Sequence, residues 1–262
     1  MKRIDLRNPF NAPVYHEETL SSTMDAARTL ADTPHGTVIM ADFQERGRGR
    51  SGRFWNTEKG QNLLFTVILN FPGLYAIPKA ITLRTGLAAA LAIEDFIPEL
   101  KGHTAIKWPN DIMLSEKKAA GILTESDGSR VYTGIGINLL QEEFPDGLNK
   151  KAASLIGFCK EKFPDSGSLL RLTEGDCRFL LLQKILDFLF EELNNAPDSW
   201  TVKLLERLYK RGQIVTFAEG ASDSHNIITG RLEGITGSGE LLLLPDGESS
   251  PRAFINGELR VY

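Results

Sequence analysis

The chain has 262 residues, a formal net charge of −4, 42% hydrophobic and 24% charged residues, 24 Gly and 12 Pro. That balance excludes collagenous, disordered and coiled-coil classes, and it argues against a protein that coats nucleic acid over its whole surface, while leaving room for a local basic patch. Two cysteines, Cys159 and Cys177, make no disulfide framework and have no metal-ligand spacing; the N-terminal MKRIDLRNPF lacks the apolar run of a signal peptide, and nowhere do 18 consecutive apolar residues occur. The expectation is a globular, cytoplasmic protein.

In chain order, Val14–Glu18 reads as a short strand. Ser22 reads as a helix N-cap with Asp25 as its capping-box partner, leading a helix to about Ala31. Thr37–Phe43 is a predicted strand, followed by a charged, glycine-rich loop over Gln44–Arg53. Asn62–Leu69 is rich enough in β-branched and aromatic residues for a buried strand, and Pro78–Phe96 carries Ala and Leu at helical spacing for a deeply packed helix. Short strands are predicted at Thr104–Lys107, Asp111–Leu114, Ala120–Glu125 and Val131–Asn138, broken by turn-forming Pro109-Asn110 and Asp127-Gly128.

Gly167–Leu193 reads as one long amphipathic helix and Ser199–Tyr209 as another. From about Gly212 the texture changes to short strands at Gln213–Phe217, Ile227–Glu233, Glu240–Leu244 and Ala253–Ile255, a spacing that fits a small barrel. A boundary near residue 211 would divide the chain into a domain over 1–211 and a compact all-β one over 212–262.

The most informative stretch is Gln44-Glu45-Arg46-Gly47-Arg48-Gly49-Arg50-Ser51-Gly52-Arg53-Phe54-Trp55. It contains G-x-G-x-x-G, but no helix pattern follows Gly52 and most intervening positions are arginines, so a dinucleotide fingerprint is rejected. No Gly-Lys-Ser/Thr closes it as a P-loop. Its guanidinium forks and glycine backbone suit a polyphosphate and the charge of adenylyl transfer. By itself, it is equally a solvated basic loop or one that touches nucleic acid.

Three further islands supply context. Lys107-Trp108-Pro109-Asn110-Asp111-Ile112 sets a cation, an amide and a carboxylate at a strand–turn–strand junction, which can serve phosphates and Mg²⁺ or simply form an Asx turn. Lys118-Ala119-Ala120-Gly121-Ile122-Leu123-Thr124-Glu125 puts a lysine at the head of an apolar strand. Gly134-Ile135-Gly136-Ile137-Asn138 is a strand whose glycines admit a ligand or a second backbone.

Together and in this order, GRGRSGRFW, KWPNDI, KAAGILTE and GIGIN resemble the biotin protein ligase family (biotin–acetyl-CoA-carboxylase ligases), with Ser21-Ser22-Thr23-Met24 similar to the family's Ser-Thr-Asn segment. The resemblance runs from about residue 14 to the C-terminus. It implies an α/β (α+β) fold: a mixed β-sheet flanked by helices, of the class II aminoacyl-tRNA synthetase-like biotin ligase type, plus a small C-terminal SH3-like β-barrel. It implies ATP with Mg²⁺ as co-substrate and activator, biotin as substrate and no tightly bound prosthetic group. The protein partner would be a biotin carboxyl carrier domain of a biotin-dependent carboxylase.

Carried over by motif, Ser22, Thr23, Met24, Gln44, Arg48, Gly49, Arg50, Lys118 and Gly121 would line the biotin site. Arg48, Arg50, Trp55, Lys107, Asn110, Asp111 and Asn138 would serve ATP or the adenylate, with Asp111 toward Mg²⁺. Lys118 and Arg50 would be catalytic, the arginine loop ordering when ligand arrives. Some relatives carry an N-terminal helix-turn-helix domain; only about 13 residues precede the first strand here, so neither that domain nor DNA binding is expected, and no membrane is. Homodimerisation through the sheet occurs in part of the family. The rival activities are a lipoate–protein ligase or octanoyltransferase of the same superfamily and a nucleic-acid-binding module. An octanoyltransferase would want a cysteine beside the site, whereas Cys159 and Cys177 fall outside the islands, on a loop and a helix.

Overall fold

The computed structural model describes all residues except 174, 195–198, 221–225, 261 and 262. An eight-stranded sheet is built from β1 (Lys2–Ile4), β2 (Val14–Leu20), β3 (Thr37–Gln44), β4 (Asn62–Asn70), β5 (Thr104–Lys107), β6 (Asp111–Leu114), β7 (Lys117–Asp127) and β8 (Arg130–Asn138), in the spatial order β1-β2-β3-β4-β8-β7-β6-β5. Only β2 and β3 run parallel; the connection between them is α1 (Thr23–Thr29). The other neighbours pair antiparallel, so the sheet is mixed, as expected.

Side-chain alternation along β4 explains how both faces are covered. Phe65, Val67 and Leu69 point into the main core, which residues of α2 (Ile81–Phe96) share, while Ile68 joins Met24, Ala27, Ile39 and Tyr132 beneath α1. Leu74–Phe96 holds an 18-residue window with a mean hydropathy of 1.3 and would pass for a membrane span on length and composition. Its helical part, α2, is buried against the sheet and the long helix behind it, and its buried charges, Arg84 and Glu94, are held in ion pairs. It starts at Ile81 rather than at Pro78, because Ala80 takes a left-handed conformation (φ 54°) at the cap.

Behind the sheet come α3 (Leu155–Lys162), α4 (Gly167–Thr173), α5 (Cys177–Asn194) and α6 (Ser199–Arg207). The single helix expected over Gly167–Leu193 is therefore two. Glu174 lies outside the described residues; Gly175 turns left-handed (φ 62°), and the Asp176 carboxylate accepts the Arg178 backbone N–H at 3.2 Å, restarting the helix. A buried ion pair joins the two long helices: Arg84 Nε donates to Glu192 Oε1 at 3.0 Å, with side chains only 7% and 8% exposed. Strand β1 and helix α3 carry no clear periodic signal in the sequence. Cys159, expected on a loop, sits on α3, capped by Ser154.

The remaining strands, β9 (Ile214–Glu219), β10 (Ile227–Ile235), β11 (Leu241–Pro245), β12 (Arg252–Phe254) and β13 (Gly257–Arg260), form a five-stranded antiparallel sheet in the order β12-β11-β10-β9-β13. It docks on the first sheet through Trp108. The indole Nε1 donates to Gly239 O at 2.9 Å, and the ring lies 6.0 Å from that of Phe217. The KWPNDI turn thus carries both a contact to the second sheet and polar groups for the first.

Candidate active site

Ser22 caps α1 as the sequence predicts, its Oγ accepting the Met24 backbone N–H at 3.3 Å. The capping box differs from expectation. Asp25 accepts from Arg48 at 2.9 Å instead of turning back on the cap. Beside the cap, Gln44 ends β3 and its Oε1 accepts the Thr23 N–H at 2.7 Å and the Thr23 hydroxyl at 3.0 Å. Cross-strand register sets Gly121 opposite Gly136, with Gly134 two residues along on the same face.

These glycines make room for side chains. A Cβ on Gly136 would lie 2.6 Å from Trp55 Cε2, one on Gly121 3.0 Å from Trp55 Cζ3, and one on Gly134 2.8 Å from the Met24 sulfur. Trp55 therefore lies flat across β7 and β8, which only a glycine floor permits.

The arginine loop is a compact turn. Arg48 bridges Phe54, Gly49 N–H donates to Arg53 O at 2.7 Å, Trp55 N–H donates to Gly47 O at 2.9 Å, and a 3₁₀ turn spans Arg50–Gly52. No helix follows Gly52, in keeping with the rejection of a dinucleotide fingerprint. Its guanidinium groups diverge. Arg48 reaches Asp25 and Glu125, the latter at 2.7 Å, and so fastens the loop to α1 and β7. Arg50 donates to Asn110 Oδ1 at 3.1 Å, and Asn110 in turn donates to Ile122 O at 2.8 Å. Arg53 pairs with Glu258 of β13 at 3.0 Å.

Two neighbouring cavities open on this frame. The smaller, about 130 Å³, is lined by Ser22, Thr23, Met24, Gln44, Arg48, Gly49, Arg50, Gly121 and the glycine strand. The larger, about 580 Å³, is lined by Arg53, Lys107, Asp111, Asn138 and Glu258. Trp55, Asp111 and Lys118 border both. The Lys118 ammonium lies 2.7 Å from Asp111 Oδ1 and 5.2 Å from the Trp55 ring centre.

Burial lowers the Lys107 pKa from its ordinary value, with Asp111 and Glu258 opposing; burial likewise lowers that of Arg50, opposed by Glu258. Four cations (Arg50, Arg53, Lys107 and Lys118) thus face the carboxylates of Asp111 and Glu258, a local excess of positive charge in a chain of net charge −4. Such an excess fits a polyanion.

The residues singled out from the sequence therefore converge, with two qualifications. Arg48 is engaged by two carboxylates at the outer edge of the loop. Asn138 lines the larger cavity, but its amide donates to Ala153 O at 3.2 Å and Lys118 O at 3.5 Å, which ties the strand to the following loop. Sequence reasoning missed Arg53 and Glu258. Arg53 closes the arginine motif and could have been included; Glu258 comes from the second sheet, and nothing local marks it.

Among the described residues no group of three or more His, Cys, Asp or Glu could hold a metal ion. Asp111 and Glu258 are the carboxylates on the larger cavity, and both are paired with cations (Lys118 and Arg53), which suits a Mg²⁺ that arrives held by nucleotide phosphates rather than a resident metal centre.

Neither cysteine has the environment of a nucleophile. Both are buried, and desolvation pushes both thiols up to about 11. A raised thiol pKa keeps the neutral form through about pH 8. Iodoacetamide at that pH is expected to leave Cys159 and Cys177 unlabelled in the folded protein and to label both after denaturation. Rapid labelling of either in the native state, read by mass spectrometry, would show a thiolate that the packing does not allow.

The profile of the Biotin/lipoate A/B protein ligase family matches residues 17–142. The chain is 33% identical to the biotin–[acetyl-CoA-carboxylase] ligase of Paracoccus denitrificans, over 85% of this chain and 90% of that protein. It is 41% identical to the bifunctional ligase/repressor BirA of Bacillus subtilis over 59% of this chain and 49% of that protein, and so spans about half the length of that relative. The biotin protein ligase from Aquifex aeolicus, solved in complex with biotin and ATP, superposes with a TM-score of 0.74 at 26% identity, covering 94% of this chain and 97% of that one.

Proposed function

Because the chain belongs to the biotin/lipoate A/B protein ligase family, we propose that it is a biotin protein ligase acting on a biotin carboxyl carrier domain. The observation that carries this reading is the placement of Lys118 on the wall between a small, partly apolar cavity and a larger, cation-rich one. A carboxylic acid in the first and a nucleotide in the second would meet at its ammonium group.

In the first half-reaction the biotin carboxylate oxygen attacks the ATP α-phosphorus and pyrophosphate leaves. Two anions must approach each other, and Lys118 lowers that repulsion and stabilises the charge that develops. Arg50, Arg53 and Lys107 hold the polyphosphate; Asn110 aims Arg50. Asp111 would help hold a Mg²⁺ brought in with ATP, and such an ion would supply neutralisation of phosphate charge. In the second half-reaction the carrier lysine amine attacks the carbonyl of biotinyl-5′-adenylate and AMP leaves. Trp55, flat on Gly121 and Gly136, covers the acid and keeps water from the mixed anhydride.

In this scheme Ser22, Thr23 and Gln44 meet the ring system of biotin, Met24 and Gly121 shape its apolar wall, and Arg48 fastens the loop over it. Residues 1–211 form the catalytic domain, and 212–262 an SH3-like module that contributes Glu258. The activity would be placed in the cytoplasm, where ATP and carrier protein are supplied. ATP-dependent incorporation of labelled biotin into a biotin carboxyl carrier domain tests the proposal. Transfer with release of pyrophosphate and AMP supports it. No incorporation, with no biotin-dependent pyrophosphate release, would remove it.

A further inference from the structure

Thr66 lies in the middle of β4, fully buried, and touches neither of the two cavities. Its hydroxyl oxygen is 2.9 Å from that of Thr23. One obligate donor fixes the sense of every bond in this group. The Thr23 backbone N–H can only donate, so the Gln44 side-chain atom 2.7 Å from it is the amide oxygen. The same oxygen lies 3.0 Å from Thr23 Oγ1, which must give its proton to it. With that proton committed, Thr23 Oγ1 can only accept, and Thr66 is the donor. The bonds therefore run from Thr66 to Thr23 to Gln44. They leave the Gln44 NH₂ group, which lies beside Gly47 of the arginine loop, as the uncommitted end of a side chain that lines the small cavity.

We propose that Thr66 is a positioning residue for recognition of the acid: acting through Thr23, it holds the Gln44 amide with its NH₂ toward the cavity, so that the site selects a ring bearing a hydrogen-bond acceptor. The carbonyl of a cyclic urea is such an acceptor. This assignment rests on the reading of the small cavity as the biotin site. It extends that reading from residues that touch the acid to one that does not. An acceptor presented to two aligned N–H donors gains what a freely rotating amide gives up in orientation, and cooperativity along the buried chain adds to it. Removing the Thr66 donor leaves the Thr23 oxygen without its partner on β4, so the Thr23–Gln44 bond loses both the restraint on its direction and the polarisation that strengthens it.

The test compares Thr66→Val, which keeps the shape and removes the donor, with Thr66→Ser, which keeps the hydroxyl and removes a methyl group. Pyrophosphate release is followed at saturating ATP against biotin and against desthiobiotin, which retains the urea and lacks the sulfur. In Thr66→Val the KM for both acids is expected to rise about 5–10-fold, the size of one neutral hydrogen bond, with kcat within about twofold of the original. Thr66→Ser should keep the original KM. Thr66→Ala replaces the valine variant if thermal melting shows that the latter is unfolded.

Equal KM values in the donor-free variant and the parent, or a loss in kcat with KM unchanged, would overturn the assignment and leave Thr66 a packing residue. So would a serine variant as impaired as the valine one. A parent protein that releases no pyrophosphate with either acid would instead remove the ligase reading itself, and this assignment with it.

Discussion

Lys118→Ala is expected to slow adenylate formation by about 10²–10³, equivalent to about 2.7–4 kcal/mol of lost charge stabilisation. The size follows from where the ammonium stands. It borders both cavities, 2.7 Å from Asp111 and 5.2 Å from the Trp55 ring centre, with the side chain 33% exposed. The alanine variant loses the positive charge and also leaves the Asp111 carboxylate facing incoming phosphates without its partner, so KM for ATP should rise along with the fall in kcat. Lys118→Arg restores the charge but spreads it over a planar fork that cannot occupy the same point, and partial recovery is expected. Single-turnover pyrophosphate release measures the step directly. A rate for Lys118→Ala within about threefold of the parent would show that Lys118 takes no part in the chemistry.

Glu192→Ala should cost about 3–5 kcal/mol of folding stability. Arg84 on α2 and Glu192 on α5 pair in the main core with side chains 7% and 8% exposed, and Arg84 also donates to the backbone carbonyl of Glu192. Removing the carboxylate leaves a charged guanidinium buried between two helices without its partner. Glu192→Gln retains an acceptor and should lose less. Replacing both residues by apolar side chains of similar volume should recover most of the loss, because the desolvation cost of the pair disappears with it. Urea denaturation of the three variants gives the values. A loss below about 1 kcal/mol for Glu192→Ala would mean that Arg84 reaches water in the variant.

The arginine loop, the Pro-Asn turn, the strand-heading lysine and the paired glycines were legible because each is a local departure from ordinary composition. Every one of them lines or borders a cavity in the folded chain. Their resemblance to a known family supplied the roles; charge and spacing supplied only the kind of chemistry. Most strands of the two sheets, β1 and β13 excepted, were legible for a different reason. Alternation of apolar residues is a short-range pattern, and β5 and β6 begin and end where it predicts.

What the sequence by itself determined was therefore local: element types, the turn at Pro109-Asn110, the Ser22 cap and the residues with unusual chemistry. The tertiary structure alone decided which of these groups face one another. Cross-strand register set Gly121 against Gly136 and made a floor for Trp55. Packing of the second sheet brought Glu258 to Arg53, 205 positions away in the chain. Arg48 turned to Asp25 and Glu125, whereas Arg50, two residues on, faced Asn110. Glu174 apart, which lies outside the described residues, the helix break near Gly175 depended on one left-handed residue that helical periodicity averages over. Local propensity acts over a few residues, while charge pairing and side-chain contact act through space, so they are fixed only when the sheet register and the helix packing are complete.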